Sequence, residues 1–177
     1  EKNLAIIRKS GAKRVVFSCP EGYITFVHHY PEAVGELDFE VVHFYDFVQQ
    51  MLAEGTLKLR NGAGTYTYHD PCRLGRMAHI YDGPRVILKN LRDSRFVEME
   101  RNRENAVCCG TSGWANCSTC SKQIQVERLK EARATGADTL VTACPKCKIH
   151  LTCALNNLDL DLQIKDLSVL IAENMES

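Results

Sequence analysis

Apolar positions follow two alternating spacings along the chain. Short runs rich in β-branched and aromatic residues predict strands at 14–18, 39–44, 65–68, 96–99, 139–142 and 160–164. Stretches with helical spacing, several of them ended by glycine or proline, predict helices at 2–9, 23–31, 46–54, 84–91, 122–134, 147–156 and 166–174. Strands that alternate with helices of this length predict an α/β fold with mostly parallel sheets covered by helices.

An early segment of the chain is similar to a late one. Within the segments 11–54 and 136–175, residues 11–20 align with residues 136–145 at an offset of 125, and a strand, a Cys-Pro turn and a helix occur in both copies. The first copy has Gly22 where the second has Cys147, and no Cys-Cys-Gly precedes it. We therefore expect two pseudo-repeated, Rossmann-like halves: residues 1–60, a remnant of the first repeat without a full cysteine set, and residues 61–177, which carry the complete set.

Composition and charge narrow the class of protein. The chain has 177 residues, of which 45% are hydrophobic, enough for one sizeable core or two closely packed halves. Equal counts of Lys+Arg and Asp+Glu, 22 each, argue against a nucleic-acid surface. No apolar run is long enough to insert in a membrane and the start does not resemble a signal peptide, so we expect a cytoplasmic protein. Because the chain opens at Glu1 in what reads as the middle of a helix, without an initiator Met, we also expect the sequence to be part of a longer protein.

The nine cysteines carry most of the chemical information. Their odd number excludes complete disulfide pairing and favours metal binding or redox chemistry. Five of them fall in a pattern in which 35 residues separate the first from an adjacent pair, and 34 residues separate that pair from a Cys-x-x-Cys: Cys72, Cys108, Cys109, Cys144 and Cys147. A zinc ion or a cubane cluster needs only four ligands. The fifth thiol therefore indicates a larger inorganic cluster.

The sequence around these cysteines suits metal binding. Cys72 and Cys144 each follow a predicted strand, so the fold would bring them to the carboxyl edge of a sheet. Cys147 falls in the first turn of a helix, where N–H groups and the helix dipole favour thiolates. Gly110 allows a sharp turn beside Cys109. The stretch 111–113 (Thr-Ser-Gly) would supply the bend and hydrogen bonds to sulfur.

At these residues the chain resembles the cysteine-rich CCG domain of heterodisulfide reductase catalytic subunits and of related subunits in lactate, glycolate and glycerol-3-phosphate oxidation. The resemblance covers about residues 65–153 strongly and 10–60 more loosely. The matching elements are 69–72 (His-Asp-Pro-Cys), 74–76 (Leu-Gly-Arg), Tyr81 with 84–85 (Pro-Arg), 108–110 (Cys-Cys-Gly), 128–132 (Arg-Leu-Lys-Glu-Ala), 136–138 (Gly-Ala-Asp) and 144–147 (Cys-Pro-Lys-Cys).

The resemblance implies a cofactor, a reaction and partners. It implies that a non-cubane [4Fe-4S] cluster is bound by Cys72, Cys108, Cys109, Cys144 and Cys147, with Gly110 beside it. In the best-known members of the family, a disulfide is reduced at such clusters. We therefore expect an oxidoreductase domain that exchanges electrons with a disulfide or dithiol and receives them from other iron–sulfur or flavin subunits. The alternatives are a pure electron-relay domain of a larger dehydrogenase complex and a structural zinc-binding domain.

Several other side chains are candidates for the site. His69 would donate a hydrogen bond to sulfur or a proton to product thiolate, or would stabilise its loop together with Asp70. Three cations would offset cluster charge, bind an anionic substrate or serve only as surface charges: Arg73, Arg76 and Lys146.

The remaining cysteines and charges have weaker assignments. Cys117 and Cys120 form a second Cys-x-x-Cys that would supply extra ligands or a resolving dithiol or would have no redox or metal role, since the family pattern does not require it. The repeat places Cys19 at the same sheet edge as Cys144, where it would either line or touch the site or take no part in it. Cys153 is expected to be a small buried apolar residue. The charges at 127–133 are expected to form an exposed helix face.

Overall fold

A computed structural model describes residues 1–60, 62–110 and 118–176. Its helices and strands follow in this order: α1 (Lys2–Ser10), β1 (Arg14–Phe17), α2 (Pro20–Ile24), α3 (Tyr30–Val34), β2 (Glu40–His43), α4 (Phe44–Ala53), β3 (Thr65–His69), α5 (Asp82–Asn90), β4 (Arg95–Phe96), α6 (Thr119–Ala134), β5 (Thr139–Thr142), α7 (Pro145–Leu155), β6 (Gln163–Asp166) and α8 (Leu167–Asn174). Two π-helical turns, at Thr25–His29 and Arg73–Met77, and a 3-10 turn at Arg103–Asn105 complete the regular structure of these ranges.

Every strand pairing within the two sheets is parallel. Strands β1 and β2 form a two-stranded sheet, and a second sheet has the order β4-β3-β5-β6. Helices follow the strands and cover the sheets, which confirms the predicted α/β class. No helix in the described ranges combines the length and apolar character that crossing a bilayer requires.

The central strands β3 and β5 place two cysteine loops side by side. They pair in register from Tyr66 with Thr139 to His69 with Thr142, where both strands end. Cys72 follows the end of β3 by three residues and Cys144 follows the end of β5 by two. Because the carboxyl ends of parallel strands lie at the same edge of a sheet, the two loops start as neighbours.

Most predicted boundaries agree with the structure within a few residues, with three exceptions. The predicted strand at 96–99 is reduced to the two-residue edge strand β4, and the one at 160–164 is shifted to Gln163–Asp166 because pairing with β5 starts at Gln163. The helix predicted to end at Pro31 continues to Val34 through a π-helical turn, which lets proline occupy the start of a new helical segment. The loop after Cys72 is a π-helical turn.

Residues from both predicted halves build one apolar core. Tyr45 and Val48 of α4 and Leu57 pack in the same cluster as Tyr66 and Tyr68 of β3. The division of the chain at residues 60 and 61 stays a prediction. A second cluster, which includes Cys109, Cys144 and Cys147, lies on the other side of the four-stranded sheet with α6 and α7.

A buried ion pair anchors the loop that leads to Cys72. The Arg85 guanidinium donates to both carboxylate oxygens of Asp70, at 2.7 and 2.9 Å, and both side chains are 3% exposed. Arg85 also donates to Glu98 at 2.6 Å, and the backbone N–H of Arg103 donates to Asp70 at 2.8 Å. Asp70 therefore ties the end of β3 to α5 and to the chain that approaches Cys108.

Replacing Asp70 with asparagine should destabilise this part of the fold. The change leaves the buried Arg85 charge with a poorer partner, at a cost of about 3–5 kcal/mol, which for a domain of this size lowers the thermal midpoint by about 10 °C. Asp82→Asn is the matched control, because that carboxylate is 75% exposed and pairs with Arg103 at the surface; it should cost less than about 1 kcal/mol. Equal midpoints for the two variants by circular dichroism would contradict the anchoring role of Asp70.

Candidate metal centre

All five thiols of the predicted set line one cavity of about 410 Å³. They reach it from three separate segments of the chain: the loop after β3, the loop before α6 and the start of α7. The other lining residues within the described ranges are Glu21, Pro71, Arg73, Arg76, Met77 and Lys146. The fold thus brings together donors that are more than 30 residues apart in sequence.

The sulfur atoms are close enough to share protons. Cys72 forms a hydrogen bond with Cys108, which together with burial raises the pKa of the Cys72 thiol. Cys147 forms hydrogen bonds with Cys109 and Cys144, which together with burial raise its pKa. Such mutual contacts between thiols leave sulfur lone pairs directed at a common space, as binding of a metal or cluster requires.

Cys144 is the thiol that the fold prepares as a thiolate. It precedes Pro145, the first residue of α7. The Cys147 thiol, and next the backbone N–H groups of Cys147 and Lys146, favour negative charge on its sulfur and lower the pKa of Cys144 to about 7, although the side chain is buried. The free N–H groups of a helix start therefore act on sulfur here.

The position after the cysteine pair requires glycine for two reasons, its backbone conformation and the lack of space for a side chain. Gly110 has a φ of +76°, and a Cβ at this position would lie 2.5 Å from the backbone oxygen of Ser121. Helix α6 thus packs directly on the turn that presents Cys108 and Cys109. The neighbouring residues 111–113, Trp114 and Cys117 lie outside the described residues, so the predictions made for them stay predictions.

The turn after Cys72 is held by a close packing contact. Gly75 lies in the π-helical turn, and a Cβ there would be only 2.6 Å from the Tyr81 ring. The aromatic ring therefore fills the space that any larger residue would need. The Leu-Gly-Arg and Tyr81 elements of the sequence pattern thus position the Cys72 loop.

His69 lies beneath the sulfur atoms and is almost fully buried. One of its ring nitrogens is within 4.8 Å of the sulfurs of Cys109 and Cys147. Its Nδ1 accepts a hydrogen bond from Nε of Arg128 at 3.1 Å. Burial, and next the Arg128 charge, lower the pKa of His69 to about 3, so the imidazole is neutral.

Sequence reasoning missed the role of Arg128. The prediction that the charges at 127–133 form an exposed helix face is wrong for this residue, because its side chain is fully buried between α6 and the end of β3. Leu129 and Ala132 belong to the same buried face. The Arg-Leu-Lys-Glu-Ala match to the family was the available signal.

Glu21 links the first repeat to the mouth of the cavity. Its carboxylate accepts a hydrogen bond from Lys146 at 2.7 Å and lies 3.7 Å from Arg73. Because Glu21 occupies the position of Lys146 at the repeat offset of 125, equivalent residues of the two copies form this ion pair. The alignment of the repeat contained this signal, but only the tertiary structure shows the contact. Arg76 instead donates to the backbone oxygens of Glu104 and Ala106, so it braces the chain before Cys108.

The other described cysteines are outside the cavity. Cys19 and Cys120 are exposed and do not line it, so of the two alternatives for Cys19 the one in which it lines the site is wrong. Glu21 is the residue of that turn that reaches the cavity. The expectation that Cys153 is buried is also wrong. The buried face of α7 consists of Cys147, Leu151 and Ala154, and Cys153 projects away from it toward Lys122, whose Nζ lies 3.0 Å from the sulfur.

The donor set fits an iron–sulfur cluster. Five sulfurs exceed what one zinc ion takes, and soft thiolates are the ligands that iron–sulfur clusters use. The cavity also includes the backbone N–H groups at the start of α7, which can donate to sulfur.

Known proteins share these features with the chain. A family model described as a cysteine-rich domain, CCG, matches residues 66–152. The chain is 35% identical over 175 residues to one component of the dihydromethanophenazine:CoB--CoM heterodisulfide reductase of Methanosarcina mazei, across 97% of this chain and 43% of that protein. It is 32% identical over 181 residues to the probable iron-sulfur-binding oxidoreductase FadF of Bacillus subtilis, across 99% and 25%. It is 33% identical over 156 residues to EtfAB:quinone oxidoreductase of Syntrophomonas wolfei, across 82% and 21%.

The chain spans less than half the length of these relatives. Their names describe oxidoreductases, and one names iron–sulfur binding directly. The matched segment contains all five cavity cysteines together with His69 and Arg128. The resemblance inferred from the residues is therefore confirmed: the chain belongs to the family of cysteine-rich CCG domains.

Proposed function

We propose that this chain is the cluster-binding part of an oxidoreductase and holds one non-cubane [4Fe-4S] cluster through Cys72, Cys108, Cys109, Cys144 and Cys147. The observation that carries the proposal is the convergence of all five sulfurs on one cavity. Gly110 would support the cluster by letting α6 pack directly against its loop. The iron–sulfur and oxidoreductase names of relatives support the same class of cofactor.

A structural zinc ion is the weaker candidate. Four thiolates saturate such an ion and close its coordination shell, which would leave one buried or half-buried thiol in the cavity without a ligand role. Structural zinc also needs no open approach, whereas two side chains that line this cavity reach solvent, since Arg73 is 38% and Glu21 34% exposed. These features favour a redox centre that a small molecule can reach.

We propose a disulfide or dithiol as the reacting partner. When bound, an iron–sulfur cluster supplies one-electron steps and soft iron sites for sulfur. Arg73 and Lys146 line the cavity, and their charges can attract and orient an anionic thiol compound. Met77, which also lines the cavity, offers apolar contact to the substrate chain.

We further propose that the chain works with other subunits or domains. Two-electron chemistry at one cluster needs an electron donor, and other iron–sulfur or flavin groups are the partners we expect. The shares of 43%, 25% and 21% that the chain spans of its relatives support further domains in those proteins. The cytoplasm, where thiols stay reduced, fits a set of nine cysteines. A pure relay domain is the competing function, and it differs in giving no response to dithiols.

Metal analysis tests the cofactor. Anaerobically purified protein should contain about four irons and about four acid-labile sulfides per chain. Cys72→Ser should lower the iron and sulfide contents and change the EPR spectrum. Cys72 is the single ligand from its segment, whereas the other two segments supply two thiols each, so no neighbouring cysteine can replace it. Cys153→Ser is the matched control, since that thiol is exposed and outside the cavity. About one zinc and no sulfide, or equal effects of both variants, would contradict the proposal.

The Glu21 carboxylate should set the charge preference of the entrance. In Glu21→Gln, Lys146 and Arg73 lose this negative neighbour, so dithiodiglycolate, a dianionic disulfide, should perturb the cluster EPR signal at concentrations about threefold to tenfold lower, equivalent to roughly 1 kcal/mol. The neutral hydroxyethyl disulfide should perturb the signal at the same concentration in Glu21→Gln as in the unmodified protein. Glu32→Gln is the control, because Glu32 is exposed and does not line the cavity. The relay function predicts no response to either disulfide in any variant.

A further inference from the structure

The contact between Arg128 and His69 fixes where the imidazole carries its proton. An arginine guanidinium has only N–H donors and keeps its charge in proteins. Its Nε donates to Nδ1 of His69 at 3.1 Å, so Nδ1 must be the bare, accepting nitrogen. A neutral His69 therefore carries its proton on Nε2.

The resulting Nε2–H group is buried and has no hydrogen-bond partner among the described residues. A ring nitrogen of His69 lies within 4.8 Å of the sulfurs of Cys109 and Cys147. Since Nδ1 is engaged by Arg128, Nε2 is the nitrogen that remains to interact with a sulfur. A buried donor without a partner is costly, which favours an acceptor next to it in the functional protein.

The same contact argues against His69 as a metal ligand, although His69, Cys109 and Cys147 have the proximity of a metal-binding triad. A histidine that ligates a metal through one nitrogen usually donates its other N–H to a carboxylate or a carbonyl oxygen. Here the other nitrogen accepts from a cation, and the nitrogen that would face the metal carries the proton. Proton donation from Nε2 is disfavoured as well, because Arg128 prevents Nδ1 from carrying a second proton.

Arg128 is itself held rigidly. Its Nη1 donates to the backbone oxygen of Arg101 and to Glu131, both at 2.8 Å. Glu131 in turn accepts from the backbone N–H of Arg101 at 2.8 Å. The guanidinium is thereby fixed between α6 and the chain that leads to Cys108, and it cannot turn away from His69 without breaking these bonds.

We propose that Arg128 is a positioning residue that locks His69 in its Nε2–H form, so that His69 donates a hydrogen bond to a sulfur at the floor of the metal centre. The acceptor is the sulfur of Cys109 or Cys147, or a sulfide of the cluster. That the sulfur belongs to a cluster rests on the proposed function, but the position of the proton does not. A hydrogen bond to sulfur stabilises the reduced, more negative cluster, so it raises the reduction potential.

Pulsed EPR of the reduced protein with ¹⁵N-labelled histidine tests the hydrogen bond. We expect a weak nitrogen coupling that is absent in His69→Phe and retained in His43→Phe. His43 is a matched control, because it is also buried, its Nδ1 accepts a backbone N–H, and it does not line the cavity. A strong coupling typical of a nitrogen bound to iron, or no coupling assignable to His69, would overturn the proposal.

Reduction potentials test whether Arg128 acts through His69. Arg128→Met should lower the midpoint potential, and this shift should be clearly smaller in the His69→Phe background. A shift of equal size in both backgrounds would show that only charge or general structure is involved and would overturn the positioning role. Arg128→Lys preserves the charge and replaces Arg128→Met in this comparison if the methionine variant does not fold. The change in midpoint potential caused by Arg128→Lys should likewise be smaller in the His69→Phe background.

Iron and sulfide contents, measured first, separate failure of this inference from failure of the proposed function. If the protein holds zinc and no sulfide, the cluster assignment is wrong. The diamagnetic zinc protein then still reports the proton position through ¹⁵N NMR of His69. A proton on Nε2 would support the lock by Arg128, and a proton on Nδ1 would overturn it.

Discussion

The parallel pairing of β3 with β5 is the constraint on which the metal centre depends. Both strands are buried and end in register at His69 and Thr142, so the loops that carry Cys72 and Cys144 leave the same edge of the sheet. The start of α7 then adds Cys147 and backbone N–H groups, and the glycine turn before α6 adds Cys108 and Cys109. A rigid sheet edge thus replaces the short sequence spacings on which small metal sites rely.

The side chains around the cavity divide into structural and chemical roles. Asp70 and Arg85 form a buried pair that anchors the Cys72 loop, and Arg76 braces the chain before the cysteine pair. His69 and Arg128 lie beneath the sulfurs, whereas Glu21 and Lys146 form an ion pair at the entrance. The pair at the entrance joins Glu21 and Lys146, which the sequence alignment predicts to be equivalent positions, so the predicted first copy contributes a residue to the site although it lacks the cysteine set.

The sequence was sufficient for the features that follow from local pattern and cysteine spacing. Alternating strands and helices predicted the parallel α/β class, and the cysteine pattern predicted five thiols that share one cavity. The sequence was insufficient for features that depend on tertiary packing, such as which polar side chains are buried and which residues contact each other. Arg128 carries a charge in a highly charged helix, so its complete burial against His69 could not be inferred from composition. Cys153 has an apolar type of side chain, but it is not on the buried face of α7, which consists of Cys147, Leu151 and Ala154. The contact of Glu21 depends on how the two repeats face each other.

The most direct measurement of the central proposal is a crystal structure of the anaerobically purified protein with anomalous data collected at the iron and zinc absorption edges. We predict several iron peaks inside the cavity, with all five cysteine sulfurs within bonding distance of iron. A single zinc peak bonded to four of the sulfurs, or a cluster that leaves the Cys72 sulfur unbound, would contradict the proposal.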